Sequence, residues 1–150
     1  MDDRNTVDTL NKLVEINNDR IEGYETAAGE TDDTELKRLF SQLAQTSHDC
    51  NQELRKEIYS LEGTPAEGTK ISGKFFRAWM DLKVALAGND RKTILSSCEF
   101  GEDNAIETYE RVIEKDMEYL NFVQQDMIRS QYLLIKSDHL KVKSMRDVYA

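Results

Sequence analysis

Gln45-x-x-His48 and Glu99-x-x-Glu102 are the two stretches of this chain whose residue types and spacing come nearest to metal chemistry. A di-metal carboxylate centre inside a helical bundle needs inward glutamates on two helices, with a Glu-x-x-His turn on each of the other two, all at one level. The wheel limits what these residues can do. With Leu43, Ser47, Cys50 and Leu54 facing a core, His48 points about 120° away from it and reads as a surface residue. Of the glutamate pair only Glu102 lies on the seam formed by Cys98, Ala105 and Tyr109. Near the C-terminus Gln131 and Asp138 fall inward and His139 sits beside the seam, while near the N-terminus Asn17 is on the seam with Glu22 or Glu25 at its margins.

Two readings of Glu102 follow. It can sit in a hydrogen-bonded polar layer with Asn17, Ser47 and Gln131 that fixes the register of the helices, because a lone buried carboxylate is costly unless paired or protonated. It can instead join Gln131, with help from Glu22 or Glu25, in a weak site for iron or another hard divalent cation, since carboxylate and amide oxygens without imidazole suit such ions better than zinc. A proton-relay or ligand role is a third use of the same residue. The polar-layer reading implies no cofactor and no catalytic residue. Nucleophilic triads are poorly supplied by two histidines, and the glycine patterns that cradle phosphates are absent.

The elements that must position these residues are helices. A chain of 150 residues with 39% hydrophobic and 33% charged residues, seven Gly and one Pro has the profile of one mostly helical domain, residues 1–150. Val7, Leu10, Val14, Asn17, Ile21, Tyr24 and Ala28 recur at spacings of three and four, predicting a helix over about 4–28 that stops at Gly29. Asp32 and Glu35 suggest a capping box for a second helix, about 33–62, whose stripe runs from Leu36 through Phe40, Ser47 and Cys50 to Leu61 and ends at Gly63-Thr64-Pro65.

Residues 63–89 form too long a connection for a hairpin and carry their own amphipathic helix, with Phe75, Trp79, Leu82 and Leu86 on one face and Gly88 after it. From Asp90 the stripe resumes through Ile94, Cys98, Glu102, Ala105, Tyr109 and Val112. It then continues through Leu120, Val123, Met127, Gln131, Leu134, Asp138, Val142 and Met145. One helix of roughly 60 residues, about 90 Å long, fits that pattern. The break is placed near Asp116-Met117 instead, because helices of that length are rare in small domains, an Asp can cap a new helix and antiparallel folding gives both halves a core.

The stretch beginning at Gly63 resembles a bacterial four-helix-bundle family of unknown function within the ferritin-like superfamily. The residues that carry the resemblance are Gly63, Pro65, Gly68-Thr69, Gly73, Arg77-Ala78-Trp79, Leu82-Lys83, Asp90, Ile94-Leu95, Cys98-Glu99-x-Gly101-Glu102-Asp103-x-Ala105, Tyr109 and Gln131-Tyr132. The resemblance implies an all-α, closed four-helix bundle, with a long crossover carrying a short fifth helix between helices two and three. It implies no established activity, and a stress-related, non-enzymatic role only by analogy with ferritin-like relatives. Phe76 stands where the family commonly has His, and Thr64 where it has a second Gly.

Charge and surface narrow the partners. A net charge of −9 argues against nucleic acid. No apolar run is long enough for a transmembrane segment and the start of the chain is acidic, so a cytoplasmic location is expected. Cys50 and Cys98 read as buried free thiols. Eight acids between Glu99 and Glu118 face six bases between Lys70 and Lys92, which suggests that these segments pack together. Phe100 points almost opposite to Glu102 and needs a cover: either the crossover helix with Phe75, Phe76 and Trp79, or a homodimer through that face. A basic aromatic helix at 70–87 docking on a membrane or a protein partner is the remaining reading.

Overall fold

The computed structural model describes residues 3–68 and 73–148; the side chains at 73–76 and 78 lie outside that description, and with them the expectation for Phe76. Five α-helices follow in order: α1 Arg4–Glu30, α2 Thr34–Ser60, α3 Gly73–Gly88, α4 Arg91–Lys115 and α5 Phe122–Asp147, with a single 3-10 turn at Met117–Tyr119. There is no strand among the described residues. α1 and α2 form one antiparallel hairpin, α4 and α5 the other, and lighter α1–α4 and α2–α5 contacts close the bundle. The crossover helix α3 lies outside this square, against α4 and α1.

The ends of the helices are chemically specified, with some shifts from the sequence reading. Asp33, not Asp32, caps α2, its carboxylate accepting from the amides of Glu35 and Leu36. α1 runs through Gly29 to Glu30. The left-handed residues that close α2 and α3 are Glu62 (φ 60°) and Asn89 (φ 55°), not the neighbouring Gly63 and Gly88. At the end of α2 the Gly63 amide donates to Ile58 O and the Glu62 amide to Tyr59 O, the paired bonds of a Schellman stop. Gly63 is required for space: a Cβ there would meet Val7 Cγ2 at 2.8 Å and Ile58 Cγ2 at 3.1 Å.

The break between α4 and α5 falls where expected, but Asn121, not an Asp, starts α5. Its side chain accepts from the Gln124 amide, and the Gln124 side chain accepts from the Asn121 amide. After this turn part of the last stripe moves on by one position. Gln124, Ile128 and Ile135 are buried in place of Val123, Met127 and Leu134.

Two apolar clusters fill the bundle. One gathers Tyr24, Ala27, Leu39, Phe40, Leu43, Ile94, Leu95 and Val142, with Leu82 and Ala85 of α3 and the edge of Trp79. The other gathers Leu10, Leu13, Ile16, Leu54, Ile58, Ala105, Tyr109, Val112, Ile128 and Ile135. Each fully buried Leu, Ile or Phe contributes about 1.5–3 kcal/mol, so these clusters hold the fold. Between them, at the middle of all four long helices, the packing turns polar.

Candidate functional site

Arg20 is the largest fully buried side chain in the protein. It follows Asn17 by three positions and precedes Tyr24 by four, so the α1 wheel carries it inward; Ile21 and Ala28, expected on the seam, are only half-buried, while Arg20 and Ala27 are buried. Its guanidinium joins three other helices. Nη1 donates to Ser47 Oγ of α2 at 2.6 Å. Nη2 donates to Glu102 Oε1 of α4 at 2.7 Å and to Asp138 Oδ2 of α5 at 3.2 Å. The Tyr24 ring lies 5.7 Å from the guanidinium carbon and stacks on Phe40.

The electrostatics of this layer follow from burial. Burial pushes the Glu102 carboxyl above its ordinary range, and the Arg20 charge pulls against it. For Arg20 burial acts to lower the pKa, but Glu102, Tyr24 and Asp138 together raise it, so the guanidinium stays charged. Among the described residues Arg20 Nε and Glu102 Oε2 have no partner at full hydrogen-bond geometry, although the Tyr24 hydroxyl acts on the Glu102 carboxyl and lowers its pKa. A cavity of about 20 Å³, lined by Arg20, Tyr24, Trp79, Cys98 and Gly101, lies under α3, large enough for one water-sized group.

A second polar layer adjoins the first; its buried members are neutral, and it reaches a carboxylate only at its exposed edge, at Glu53. Asn17 Nδ2 donates to Leu13 O and to the Tyr109 hydroxyl, each at 2.8 Å. Tyr109 donates in turn to Gln131 Oε1 at 2.7 Å, and Gln131 Nε2 donates to Cys50 O and to Glu53 Oε1, each at 3.2 Å. Burial raises the Tyr109 hydroxyl well above its usual value and pushes the Cys50 thiol up to about 12. Cys98 is likewise buried, free and shifted upward by burial. Neither thiol has the thiolate character that reactivity needs.

The four polar residues expected at this level are therefore all buried, in two networks: one organised by Arg20, which the sequence reading did not single out, the other by Tyr109, which it placed on the seam. Ser47 and Glu102 meet through Arg20; Asn17 and Gln131 meet through Tyr109. Glu22 and Glu25 are exposed and do not assist Glu102. Glu25 lies 3.3 Å from His48 on the surface. His139 turns to α4, 2.9 Å from Asp103 and 3.7 Å from Glu99, which also pairs with Arg146. Among the described residues no group of three or more His, Cys, Asp or Glu side chains is arranged to hold a metal ion.

The crossover is tied to α1 by amides. Asn11 Nδ2 donates to Thr64 O while its Oδ1 accepts from the Ala66 amide. Asn18 Nδ2 donates to Gly68 O at 2.9 Å, and its Oδ1 accepts from Asn51 and Arg55. These contacts lay residues 64–68 along α1, from the level of Asn11 to that of Asn18.

α3 packs on α4 as expected of a lid, but the described ion pairs go elsewhere than the acidic flank of α4. Lys83 approaches Glu30 of α1 at 3.9 Å, and Arg91 pairs with Asp33 and Glu35 of α2. That flank is met by His139 and Arg146 of α5. Phe100 remains 45% exposed. No helix among the described residues is long and apolar enough to cross a membrane.

Against known proteins, a family described as a domain of unknown function, DUF2383, matches residues 5–115, which span α1 to α4. No curated protein matches the chain.

Proposed function

We propose, for a chain that belongs to the DUF2383 family of unknown function, that it is a ferritin-like bundle of non-enzymatic type, in which an internal arginine takes the place of a mid-bundle metal. The observation behind this reading is the 2.7 Å contact of Arg20 with Glu102, both almost fully buried. A cation brought to Glu102 would meet a guanidinium already bonded to it, and the two positive charges would repel at short range in a medium of low dielectric. Gln131, the other candidate ligand, is held by Tyr109, the Cys50 carbonyl and Glu53.

On this reading the polar layers fix the register of four helices, and the protein works through its surface. A stress-related role in a bacterial cytoplasm rests on the fold analogy alone. The test is elemental analysis of the purified protein before and after anaerobic loading with Fe(II), Mn(II) and Zn(II), with thermal melts alongside. Background metal and an unchanged melting temperature are expected. Stoichiometric metal that raises the melting temperature, and is lost in Glu102→Gln, would replace this reading with a metal-binding one.

A further inference from the structure

The outward side of α5 carries a second stripe that the bundle does not use. Val123, Asp126, Ser130, Leu133, Ser137, Leu140 and Ser144 recur at alternating spacings of three and four, and all are exposed. Phe122 and Leu134 flank this seam. The five large apolar side chains, Phe122, Val123, Leu133, Leu134 and Leu140, are 50–83% exposed. The inward side of the same helix is complete without them, because Gln124, Ile128, Gln131, Ile135 and Val142 supply the buried residues. A sustained spacing of three and four on a solvent-facing surface is the pattern by which one helix seats another, and five large apolar side chains exposed along one helix mark a contact site.

We propose that this face of α5 is the contact surface of a two-fold symmetric dimer of the chain, with the two α5 helices antiparallel. The choice of a second copy as occupant rests on self-complementarity, which an isologous contact requires. Pairing the helices antiparallel about Gln131-Tyr132 sets each Leu133 against the partner's Ser130 and each Leu140 against the partner's Val123. Leu133 then faces a small residue and Leu140 an apolar one, and the two-fold repeats both pairs. The charges match in the same register: Asp126 near the start of the helix falls against Ser137 and beside Lys136 of the other copy, and the two-fold repeats the pair. A parallel pairing would instead put Asp126 on Asp126 and Lys136 on Lys136. An anionic lipid surface fits less well, because the chain as a whole carries −9 and would be repelled by it.

Sedimentation velocity on the full chain over a concentration series tests this. A concentration-dependent species of twice the 17.3 kDa chain mass is expected. Leu133→Glu with Leu140→Glu should abolish it without altering the far-ultraviolet circular dichroism, since neither residue is buried. Asp126→Lys should weaken the dimer and Asp126→Lys with Lys136→Asp should restore it. For orientation, Ser130→Cys should form an intermolecular disulfide under mild oxidation and Ser144→Cys should not. A monomer at every concentration would overturn the proposal. So would a dimer insensitive to the Leu133 and Leu140 changes but lost in Phe100→Glu, or equal cross-linking through Ser130→Cys and Ser144→Cys.

Discussion

The two polar layers lie side by side in the same bundle, yet the buried groups of one are charged and those of the other neutral. In the first, the two terminal nitrogens of a guanidinium donate to a hydroxyl and two carboxylates from three helices. In the second, an amide, a phenol and a second amide pass one hydrogen bond to the next. The difference teaches what each layer depends on. The neutral chain needs only geometry, so its contribution is independent of pH across the physiological range. The charged layer needs a balance of charge in a place where an unpaired ion costs several kcal/mol, and that balance shifts as the Glu102 carboxyl titrates.

The sharpest way to break the comparison is to remove Arg20. Arg20→Met keeps much of the volume but leaves Glu102 buried with Asp138 nearby and no counter-charge, and should cost about 3–5 kcal/mol in urea unfolding near neutral pH. Without Arg20, burial and Asp138 both raise the Glu102 pKa, opposed only by the smaller lowering effect of the Tyr24 hydroxyl. A folded-state pKa above the unfolded value adds stability at low pH that is lost as pH rises through the folded pKa. The deficit of Arg20→Met should therefore be smaller at pH 5 than at pH 8, and a deficit independent of pH would contradict the charged-layer account.

A smaller loss is expected in the neutral layer. Tyr109→Phe removes the hydroxyl that links Asn17 to Gln131 and should cost about 1–3 kcal/mol, because Gln131 Oε1 loses its buried donor. Burial holds the Tyr109 hydroxyl protonated far above neutrality, so the same denaturation curves recorded at pH 5 and pH 8 should give one value. A strong pH dependence there would erase the distinction between the layers.

Much of this architecture was legible in the sequence. The stripes of α2 and α4 predicted their buried residues from Leu36 to Ile58 and from Ile94 to Val112, because long unbroken helices keep their phase. The α4–α5 break was legible, but the phase after it was not. The buried face of α5 keeps Gln131 and Val142 of the expected stripe but takes Gln124, Ile128 and Ile135, each one position on, so that Val123 and Leu134, expected inside, lie outside. At the site, Glu102, Asn17, Ser47 and Gln131 were found by their position on apolar seams. Arg20 was missed because a charged residue is ordinarily read as solvent-facing. The available signal was its spacing from Asn17 and Tyr24, together with an inward Glu102 that had no counter-ion. Tyr109 was placed in the core correctly, but its hydroxyl chemistry appears only when three helices meet around it.

The most direct test of the central claim, that Arg20 is the internal counter-ion of Glu102, is a double-mutant cycle measured by urea unfolding near neutral pH. Glu102→Gln alone keeps an acceptor for Arg20 and leaves Asp138 as its anion, so about 1–2 kcal/mol is expected. Arg20→Met together with Glu102→Gln should be more stable than Arg20→Met alone by at least about 1 kcal/mol, a coupling typical of residues in direct contact, since the second change removes the stranded charge. Simple addition of the two losses would contradict the pairing and return Glu102 to the list of residues in search of a ligand.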